Sequence, residues 1–242
     1  MEPLECPHCR STKVVKNGRT YYGKQNHKCR NCKRQFVERQ PVKQYSQPQL
    51  VEKLLLERLS LRAICRILQV SMGCLTYRLQ ALWQEQAYQL PIGSLLAQAE
   101  VKLLAVEADE LWSFVGNKHI QQWIWLAIER RSGLVVGFYI GDRSAASAEC
   151  LWYSIDPTIR SKALFFSDDW DAYGRVIPAC QHTTGKADTP IIERFNNTLR
   201  QRCSRLVRRT LSFSKNVENH YQAILFFLRH HNLEILAKKP SL

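Results

Sequence analysis

Four cysteines near the amino terminus have the type and spacing of ligands for one metal ion. They form two pairs, Cys6-Pro-His-Cys9 and Cys29-Arg-Asn-Cys32, with nineteen residues between the pairs. Two intervening residues bring both thiolates of a pair to one edge of a tetrahedron, and four thiolates complete the shell of a structural zinc site. The spacing therefore predicts a zinc ribbon over residues 1–40, whose ligands are Cys6, Cys9, Cys29 and Cys32.

A pair of redox-active CxxC motifs is the alternative for these cysteines. Forty residues bury too little apolar surface to fold alone, which is when a structural metal becomes necessary. Asn17-Gly18 predicts a hairpin turn between two short strands. The residues that favour those strands are Val14, Val15, Tyr21 and Tyr22.

The remaining cysteines and two histidines of this region are expected to have no part in metal binding. His8 and His27 are predicted to be surface residues, because four thiolates already fill the coordination shell. The other cysteines are predicted to be small buried side chains; they are Cys65, Cys74, Cys150, Cys180 and Cys203.

Three acidic residues lie at the ends of predicted elements in the carboxyl-terminal half. Asp109 lies near the end of a predicted first strand, and the short apolar strand Ala163–Phe166 ends just before Asp168. Glu193 lies in the first turn of a helix that Thr189-Pro190 opens, as a cap followed by a first-turn proline. Both strand-end carboxylates can project from one edge of a sheet, with the helix packed against it.

Three converging carboxylates repel one another unless divalent cations lie between them. Hard oxygen ligands select Mg²⁺ or Mn²⁺. Two such ions about 4 Å apart activate a water or a 3′-hydroxyl and stabilise the leaving oxygen of a phosphodiester. Four neighbouring acids compete for the same role: Glu107, Glu110, Asp169 and Asp171.

The apolar pattern of residues 100–235 predicts the elements that position these acids. Strand-like runs are Leu103–Glu110, Trp123–Glu129 and Leu134–Ile140, and Ala145–Tyr153 is helical in character. The basic helix that begins at Pro190 is expected to be long, with a buried stripe of Ile192, Phe195, Leu199, Cys203 and Leu206. The order of these elements predicts an α/β sheet covered by helices.

Residues 46–86 have the periodicity of three short helices. The apolar stripes are Leu50, Leu54, Leu55 and Leu59, then Leu61, Ile64, Ile67 and Leu68, then Leu75, Leu79 and Leu82. Ser71 is expected to cap the third helix. Two short helices joined by a tight turn predict a DNA-reading helix-turn-helix, with Thr76, Tyr77 and Arg78 exposed toward DNA. A plain three-helix bundle that holds the domains together is the alternative.

The charge of the chain predicts a polyanionic partner. Its 35 basic and 21 acidic side chains give a formal net charge of +14. Arg10–Arg39 contains ten basic residues and one acid, and Arg194–Lys215 contains seven basic residues and no acid. Such runs are typical of surfaces that contact phosphates, and the second run supplies candidate DNA-binding residues Arg200, Arg205, Arg208 and Arg209. With no secretory signal or membrane span in the pattern, we expect a cytoplasmic protein that binds double-stranded DNA.

At these residues the sequence resembles the transposases of the insertion sequence 1 family. The resemblance rests on EADELWSFVGNK, SDDWDAY and IIERFNNTLRQRCSRLVRRTLSFSKNVE; it is close over residues 105–220 and looser before them. It implies a ribonuclease-H-like catalytic domain with a DDE triad. Asp109, Asp168 and Glu193 match the three acids. Arg200 matches the basic residue that follows the third acid by seven positions.

The resemblance also implies an activity. In the family, the zinc finger and helix-turn-helix recognise the terminal inverted repeats of the element, and the catalytic domain cleaves strands and joins the freed 3′-hydroxyls to target DNA. Bringing two ends together implies at least a dimer on DNA. The chain departs from the family at Phe195, where histidine is frequent, and at Asp169, where glycine is frequent. Alternatives are a DNA-binding repressor with a silent carboxyl-terminal domain and a general ribonuclease-H-like nuclease.

Overall fold

A computed structural model describes most of the chain, namely residues 4–21, 23–37, 48–85, 89–93, 95–96, 103–185, 188–206 and 212–238. The chain divides into two compact units, an amino-terminal unit of residues 1–48 and a main unit of residues 49–242. The sequence predicts a linker over residues 40–47, which lie outside the described residues. Within the part of the chain that the structure describes, no helix is both long and apolar enough to cross a membrane.

The amino-terminal unit contains a three-stranded antiparallel sheet of β1 (Val14–Arg19), β2 (Gln25–Cys29) and β3 (Gln35–Val37). The predicted hairpin turn is in the wrong place, because Asn17 and Gly18 lie inside β1. There the register shifts between Lys16 and Arg19, and Gly18 adopts a φ of +68°. The amide of Thr20 instead bonds the carbonyl of Lys24 at 2.9 Å, between the end of β1 and the start of β2. The glycine's conformational freedom therefore serves a bulge rather than the turn.

The prediction that both histidines lie on the surface is correct for His8 and wrong for His27. His27 is only 7% exposed, and its ring packs against Phe36 with 5.8 Å between the ring centroids. It lies in the middle of β2, where alternate side chains point into the interior of this small unit. His8 is exposed, and its Nδ1 atom lies 2.9 Å from Nη1 of Arg34.

The main unit begins with three helices, α1 (Pro48–Leu56), α2 (Leu61–Leu68) and α3 (Met72–Glu85). Ser71 caps α3 as expected, because its hydroxyl accepts a hydrogen bond of 3.2 Å from the amide of Cys74. Gln69 ends α2 in the left-handed conformation, with a φ of +53°, so only three residues separate α2 from α3. Ile67, predicted to lie on the buried stripe, is 54% exposed.

A five-stranded sheet forms the centre of the main unit. Its strands are β4 (Ala105–Phe114), β5 (Gln121–Glu129), β6 (Val135–Gly141), β7 (Leu164–Ser167) and β8 (His182–Thr184). The spatial order is β6-β5-β4-β7-β8, with β4 to β6 antiparallel and with β7 and β8 parallel to β4. Short hairpins join the first three strands, whereas a parallel strand needs a crossover. The crossover to β7 runs through α4 (Ala145–Ser154) and α5 (Pro157–Lys162).

Helices cover both faces of this sheet. One face packs against α4, α5 and α6 (Asp171–Val176), and the other packs against α7 (Pro190–Arg202) and α8 (Val217–Lys238). The sequence predicted α7 to be longer than it is. Its last helical residue is Arg202. Cys203 and Leu206 follow that end and are buried, as predicted from the apolar stripe. Cys150 and Cys180 are exposed, contrary to the prediction.

Helix α8 was not predicted, and it secures both the sheet and the three amino-terminal helices. Asn232 on α8 is fully buried, and its side-chain amide bonds both the N–H (2.9 Å) and the carbonyl (2.8 Å) of Val135 on the edge strand β6. Trp83 of α3 packs edge-on against Phe226 of α8, with ring centroids 5.8 Å apart. Leu56 of α1 joins the same apolar core. The three helices are therefore docked on α8 and the core of the main unit.

Candidate active site and thiol metal centre

The four cysteines of the amino-terminal unit converge on one point. The Sγ atoms of Cys6 and Cys32 lie 3.6 Å apart, as do those of Cys9 and Cys29. All four sulfur atoms lie within 4.8 Å of one another. A tetrahedral zinc ion with bonds of about 2.3 Å needs sulfur atoms separated by about 3.8 Å. The four thiols therefore fit a zinc ion, and we name them the thiol cluster.

The two cysteine pairs are built by the same backbone turn. Arg10 donates its amide hydrogen to the carbonyl of Cys6 at 2.8 Å, and Lys33 donates its amide hydrogen to the carbonyl of Cys29 at 3.0 Å. Both donors have positive φ angles, 55° for Arg10 and 64° for Lys33. This conformation is uncommon for residues other than glycine. Each turn thus holds a thiol pair in place with residues that immediately follow the pair.

Electrostatics in the thiol cluster favour a bound cation. The backbone amide of Ser11 lowers the pKa of the Cys9 thiol to about 6. The Arg34 amide also favours a Cys32 thiolate, but desolvation and the hydrogen bonds with the three other thiols outweigh it and raise the pKa of Cys32 to about 11. A cation bound between the thiols would favour the thiolate form of Cys32.

The sheet brings Asp109 and Asp168 to corresponding positions along the neighbouring parallel strands β4 and β7. In the parallel pairing of β4 with β7, Glu107 lies opposite Phe166, so the two aspartates follow two positions further along. The sequence placed Asp109 near the end of its strand, but β4 continues to Phe114. Because β7 stops at Ser167, Asp109 still lies at an edge, where β4 has lost its neighbour on one side.

Glu193 is placed by a contact that the sequence did not predict. Thr189 occupies the cap position of α7 but makes no side-chain capping bond. Instead, Oε2 of Glu107 accepts hydrogen bonds from the amides of Ile191 (2.9 Å) and Ile192 (2.8 Å). A carboxylate at a helix amino terminus satisfies amides that have no partner within the helix and is favoured by the helix dipole. Glu107 thereby fixes the first turn of α7, which carries Glu193, against β4.

Asp109 has a strongly raised pKa and a hydrogen bond to α7. Burial raises its pKa to about 7, aided by the charges of Glu110, Asp168 and Glu193. Its Oδ2 atom accepts a hydrogen bond of 2.6 Å from the side-chain amide of Asn196, one turn after Glu193 on α7. The structure therefore brings Asp109, Asp168 and Glu193 together, and we name them the acid cluster.

Three of the four competing acids form ion pairs, and the fourth is exposed to solvent. Glu107, besides capping α7, pairs through Oε1 with Nε of Arg130 at 2.7 Å. Glu110 points to the opposite face of β4 and pairs with an arginine. Asp171 pairs with Arg175 within α6, and Asp169 is exposed. Among the described residues, only the thiol cluster forms a close-set group of three or more metal-binding side chains, so the acid cluster is more widely spaced.

The predicted DNA-binding residues have different surroundings. Arg200 lies on α7 two turns after Glu193 and is half-buried. Arg205 donates a hydrogen bond of 3.2 Å to the carbonyl of Ser212, and burial lowers its pKa, so this guanidinium is engaged within the protein. Arg208 and Arg209 lie outside the described residues.

Helix α3 presents one face to solvent. Tyr77 is 75% exposed, and Thr76 and Gln80 are exposed beside it. Arg78 is half-buried. The opposite face of α3, with Leu75 and Leu79, is buried. The predicted recognition helix thus has an open polar face while its apolar face holds it to the rest of the unit.

The family of the chain follows from comparison with known proteins. Residues 102–234, more than half of the chain, match the family described as IS1 transposase. The chain belongs to the IS1 transposase family. This match covers the sheet with both flanking layers and includes the whole acid cluster, whereas the thiol cluster and helices α1 to α3 lie before it.

Relatives named as insertion element proteins match about half of the chain. The protein InsB of insertion element iso-IS1n from Shigella dysenteriae is 41% identical over 128 residues, which are 53% of this chain and 96% of that protein. The InsB protein of insertion element IS1 4 from Escherichia coli K12 is 35% identical over 126 residues, 52% of this chain and 74% of that protein.

Among solved structures, the chain was matched to a Mos1 transposase paired-end complex with left transposon end. The match covers 86% of this chain and 83% of that chain at 13% identity, with a TM-score of 0.30. A score this low supports no argument.

Proposed function

We propose that this IS1-family transposase binds the terminal inverted repeats of an insertion sequence and carries out metal-dependent cleavage and transfer of DNA strands. The observation that carries the proposal is the convergence of the acid cluster. Asp109, Asp168 and Glu193 come from β4, the end of β7 and α7. Burial raises the pKa of Asp109, aided by the charges of Glu110, Asp168 and Glu193. Such mutual repulsion is typical of carboxylates that share a cation.

The architecture supports a ribonuclease-H-like catalytic domain, as the family resemblance implies. A sheet of three antiparallel strands is extended by two parallel strands in the order β6-β5-β4-β7-β8, with helices on both faces. The central strand β4 and its parallel neighbour β7 supply the two aspartates. We propose the domain limits that the sequence predicts: a zinc ribbon over 1–40, a helix-turn-helix over 46–86 and a catalytic domain over 100–235.

In this proposal Asp109, Asp168 and Glu193 hold Mg²⁺ or Mn²⁺. When bound, such ions lower the pKa of the attacking hydroxyl and stabilise the charge on the leaving oxygen. The remaining work falls to the protein. Asn196 holds one oxygen of Asp109, which orients the carboxylate, and Glu107 keeps α7 in place. Hydrolysis at each end releases a 3′-hydroxyl, whose oxygen then replaces a 3′ oxygen on a phosphorus of the target strand.

DNA recognition in this proposal uses α3 and the basic residues that follow Glu193. The exposed face of α3, with Thr76, Tyr77 and the nearby Arg78, contacts the element ends. Arg200, Arg208 and Arg209 contact phosphates. The sequence also predicts Arg205 for this role, but its bond to Ser212 and its burial favour a structural part. Two ends must meet during transposition, so we propose at least a dimer on DNA.

A DNA-binding repressor is the second candidate, because the open face of α3 does not depend on the acid cluster. A strand-joining assay separates the two. It uses purified protein, the DNA that flanks the gene for this protein, and Mg²⁺ or Mn²⁺. We expect wild type to join strands and Glu193→Gln to bind the ends without joining them.

The matched control for that assay is Glu149→Gln, which neutralises an exposed acid on α4 and should join DNA as the wild type does. Tight end binding without joined products in all three proteins, with either metal, would overturn the proposed activity and favour the repressor. Joining by Glu193→Gln would keep the activity but remove Glu193 from the site.

A further inference from the structure

Arg143 lies behind the acid cluster, in the loop between β6 and α4. Its guanidinium carbon lies 4.0 Å from the ring centroid of Trp170 and 4.7 Å from that of Trp123. Its Nε and Nη2 atoms lie 2.8 Å and 2.7 Å from Oε1 of Glu110. The guanidinium is thus held by two indoles and a buried carboxylate, although the Arg143 side chain itself is 38% exposed.

These contacts connect the two aspartates of the acid cluster. Glu110 directly follows Asp109 on β4, with its side chain on the opposite face of the strand. Trp170 donates its backbone amide to Oδ1 of Asp168 at 3.1 Å. A chain of contacts therefore runs from the residue beside Asp109, through Arg143, to the residue that holds Asp168.

Tyr173 completes the support for Glu110. Its hydroxyl donates a hydrogen bond of 3.0 Å to Oε2 of Glu110, so both oxygens of this buried carboxylate are bonded. Tyr173 is itself buried, and its ring meets Trp125 of β5 edge-on at 5.6 Å. Glu110 is thus fixed by α6 on one oxygen and by Arg143 on the other.

We propose that Arg143 is a positioning residue, which holds the Asp168 turn against β4 through Trp170 and Glu110 although it touches neither aspartate. The inference rests on the proposed function. Asp168 needs such support because it follows the last residue of β7 and lies outside the strand ladder. Without it, repulsion between the carboxylates moves Asp168 away from Asp109 and opens the site.

The test is Arg143→Lys, which keeps the positive charge but loses the planar group that contacts both indoles. Mn²⁺ binding is measured from the EPR signal of the free ion, and strand joining is measured over a range of Mn²⁺ concentrations. We expect weaker Mn²⁺ binding and a joining rate that is about 10²-fold lower at limiting Mn²⁺, since small misplacements of reacting groups have effects of that size. The deficit should shrink as Mn²⁺ increases.

Arg160→Lys is the matched control. Arg160 also contacts two aromatic rings, Trp152 at 5.8 Å and Tyr153 at 5.1 Å, but it precedes β7, whereas Asp168 follows it. This variant should keep the Mn²⁺ affinity and the joining rate of wild type. A second pair keeps the proposal testable if Arg143→Lys folds poorly: Trp170→Leu should reproduce the weak Mn²⁺ binding, and Trp170→Phe should restore it.

The outcomes separate this inference from the proposed function. Wild-type Mn²⁺ affinity in both Arg143→Lys and Trp170→Leu overturns the positioning role, even if the protein joins DNA. The positioning role is also overturned if Arg143→Lys and Arg160→Lys lose melting temperature and joining rate equally while their Mn²⁺ affinity is unchanged. If wild type binds Mn²⁺ but never joins DNA, the proposed function fails, while a loss of Mn²⁺ binding in Arg143→Lys still supports the positioning role. Failure of wild type to bind Mn²⁺ overturns both.

Discussion

The thiol cluster and the acid cluster are both groups of metal-binding side chains, but they are assembled in opposite ways. Each thiol pair is closed by a turn within five residues of chain, and its donors, Arg10 and Lys33, directly follow the cysteines. The acid cluster draws its members from two strands and a helix. It also depends on residues that bind no metal, above all Glu107 and Asn196.

This difference determines what each site tolerates. A site made from local turns keeps its shape as long as its ion is present, because the ion itself joins the two turns. A site made from distant elements keeps its shape through the fold, so buried side chains behind it matter as much as the ligands. The following predictions, in order of decreasing effect, test that contrast.

Removal of zinc should have the largest effect, and only on the amino-terminal unit. With Cys9→Ser or with a strong chelator, we expect residues 4–37 to lose protection from hydrogen exchange while the main unit keeps it, since small zinc domains fold only with their metal. Metal analysis verifies that the ion has gone. Cys180→Ser, which changes an exposed thiol, is the control. Full protection after complete loss of zinc would contradict the metal site.

Glu107→Ala should destabilise the main unit by about 3–5 kcal/mol, because it leaves Arg130 without its buried partner and α7 without its cap. Denaturant unfolding followed by tryptophan fluorescence measures the change. Glu149→Gln should unfold like the wild type. A loss below about 1 kcal/mol would show that Glu107 does not support α7 and would return it to the candidates for metal binding.

Acid should weaken the main unit through His220. This residue is buried between the hydroxyls of Ser113 (3.2 Å) and Ser214 (3.1 Å). Burial, aided by the charge of Arg205, lowers its pKa to about 4. Below pH 6.5 the unfolded chain binds a proton at this position and the folded chain does not, so the free energy of unfolding falls between about pH 6.5 and pH 4.

The total loss from His220 is about 3 kcal/mol. Unfolding by urea at several pH values measures it, and His220→Gln should flatten the dependence over this range. An equally steep loss of stability in His220→Gln would assign the effect to other groups.

The smallest effect concerns the asparagine beside each cluster. Asn196 donates to Asp109 at 2.6 Å in a buried setting, whereas Asn31 donates to Sγ of Cys9 at 3.7 Å in an exposed one. Asn196→Ala should weaken Mn²⁺ binding by about 10–100-fold, and Asn31→Ala should weaken zinc binding less than that. Zinc affinity is measured by competition with a coloured chelator. A larger loss of metal affinity for Asn31→Ala than for Asn196→Ala would show that burial does not distinguish the two sites.

The sequence was most informative where the signal is local. The CxxC spacing identified four thiols that do converge, and the apolar runs located β4 to β7 and α4 to within a few residues. The Asn17-Gly18 turn failed because the same dipeptide also suits a bulge, and the choice depends on pairing across the sheet. For the acid cluster, the strand-end and helix-start signals named three acids whose charges interact, and their role in catalysis stays a prediction.

The sequence could not distinguish Glu107 from Asp109, because both lie on one face of the same strand. Only the position of the helix amino terminus decides which carboxylate becomes a cap. Helix α8 was missed for a related reason. Its apolar residues, including the run 224–228, surround much of the helix because it packs on the sheet and on α1 and α3, so no single stripe was visible. Arg143 gave no signal at all, since its partners come from three distant segments.

The bonds of Asn232 to Val135 have a consequence for how copies of this protein can associate. The outer strand of an open sheet is normally a template onto which a strand of another molecule can add. Here a side-chain amide occupies both backbone groups of Val135, and the hydroxyl of Ser154 takes the N–H of Phe138 at 3.0 Å. Three of the backbone groups that strand addition at this edge would use are thus already bonded. Addition of a strand from a second copy at Val135 would require the bonds to Asn232 to break.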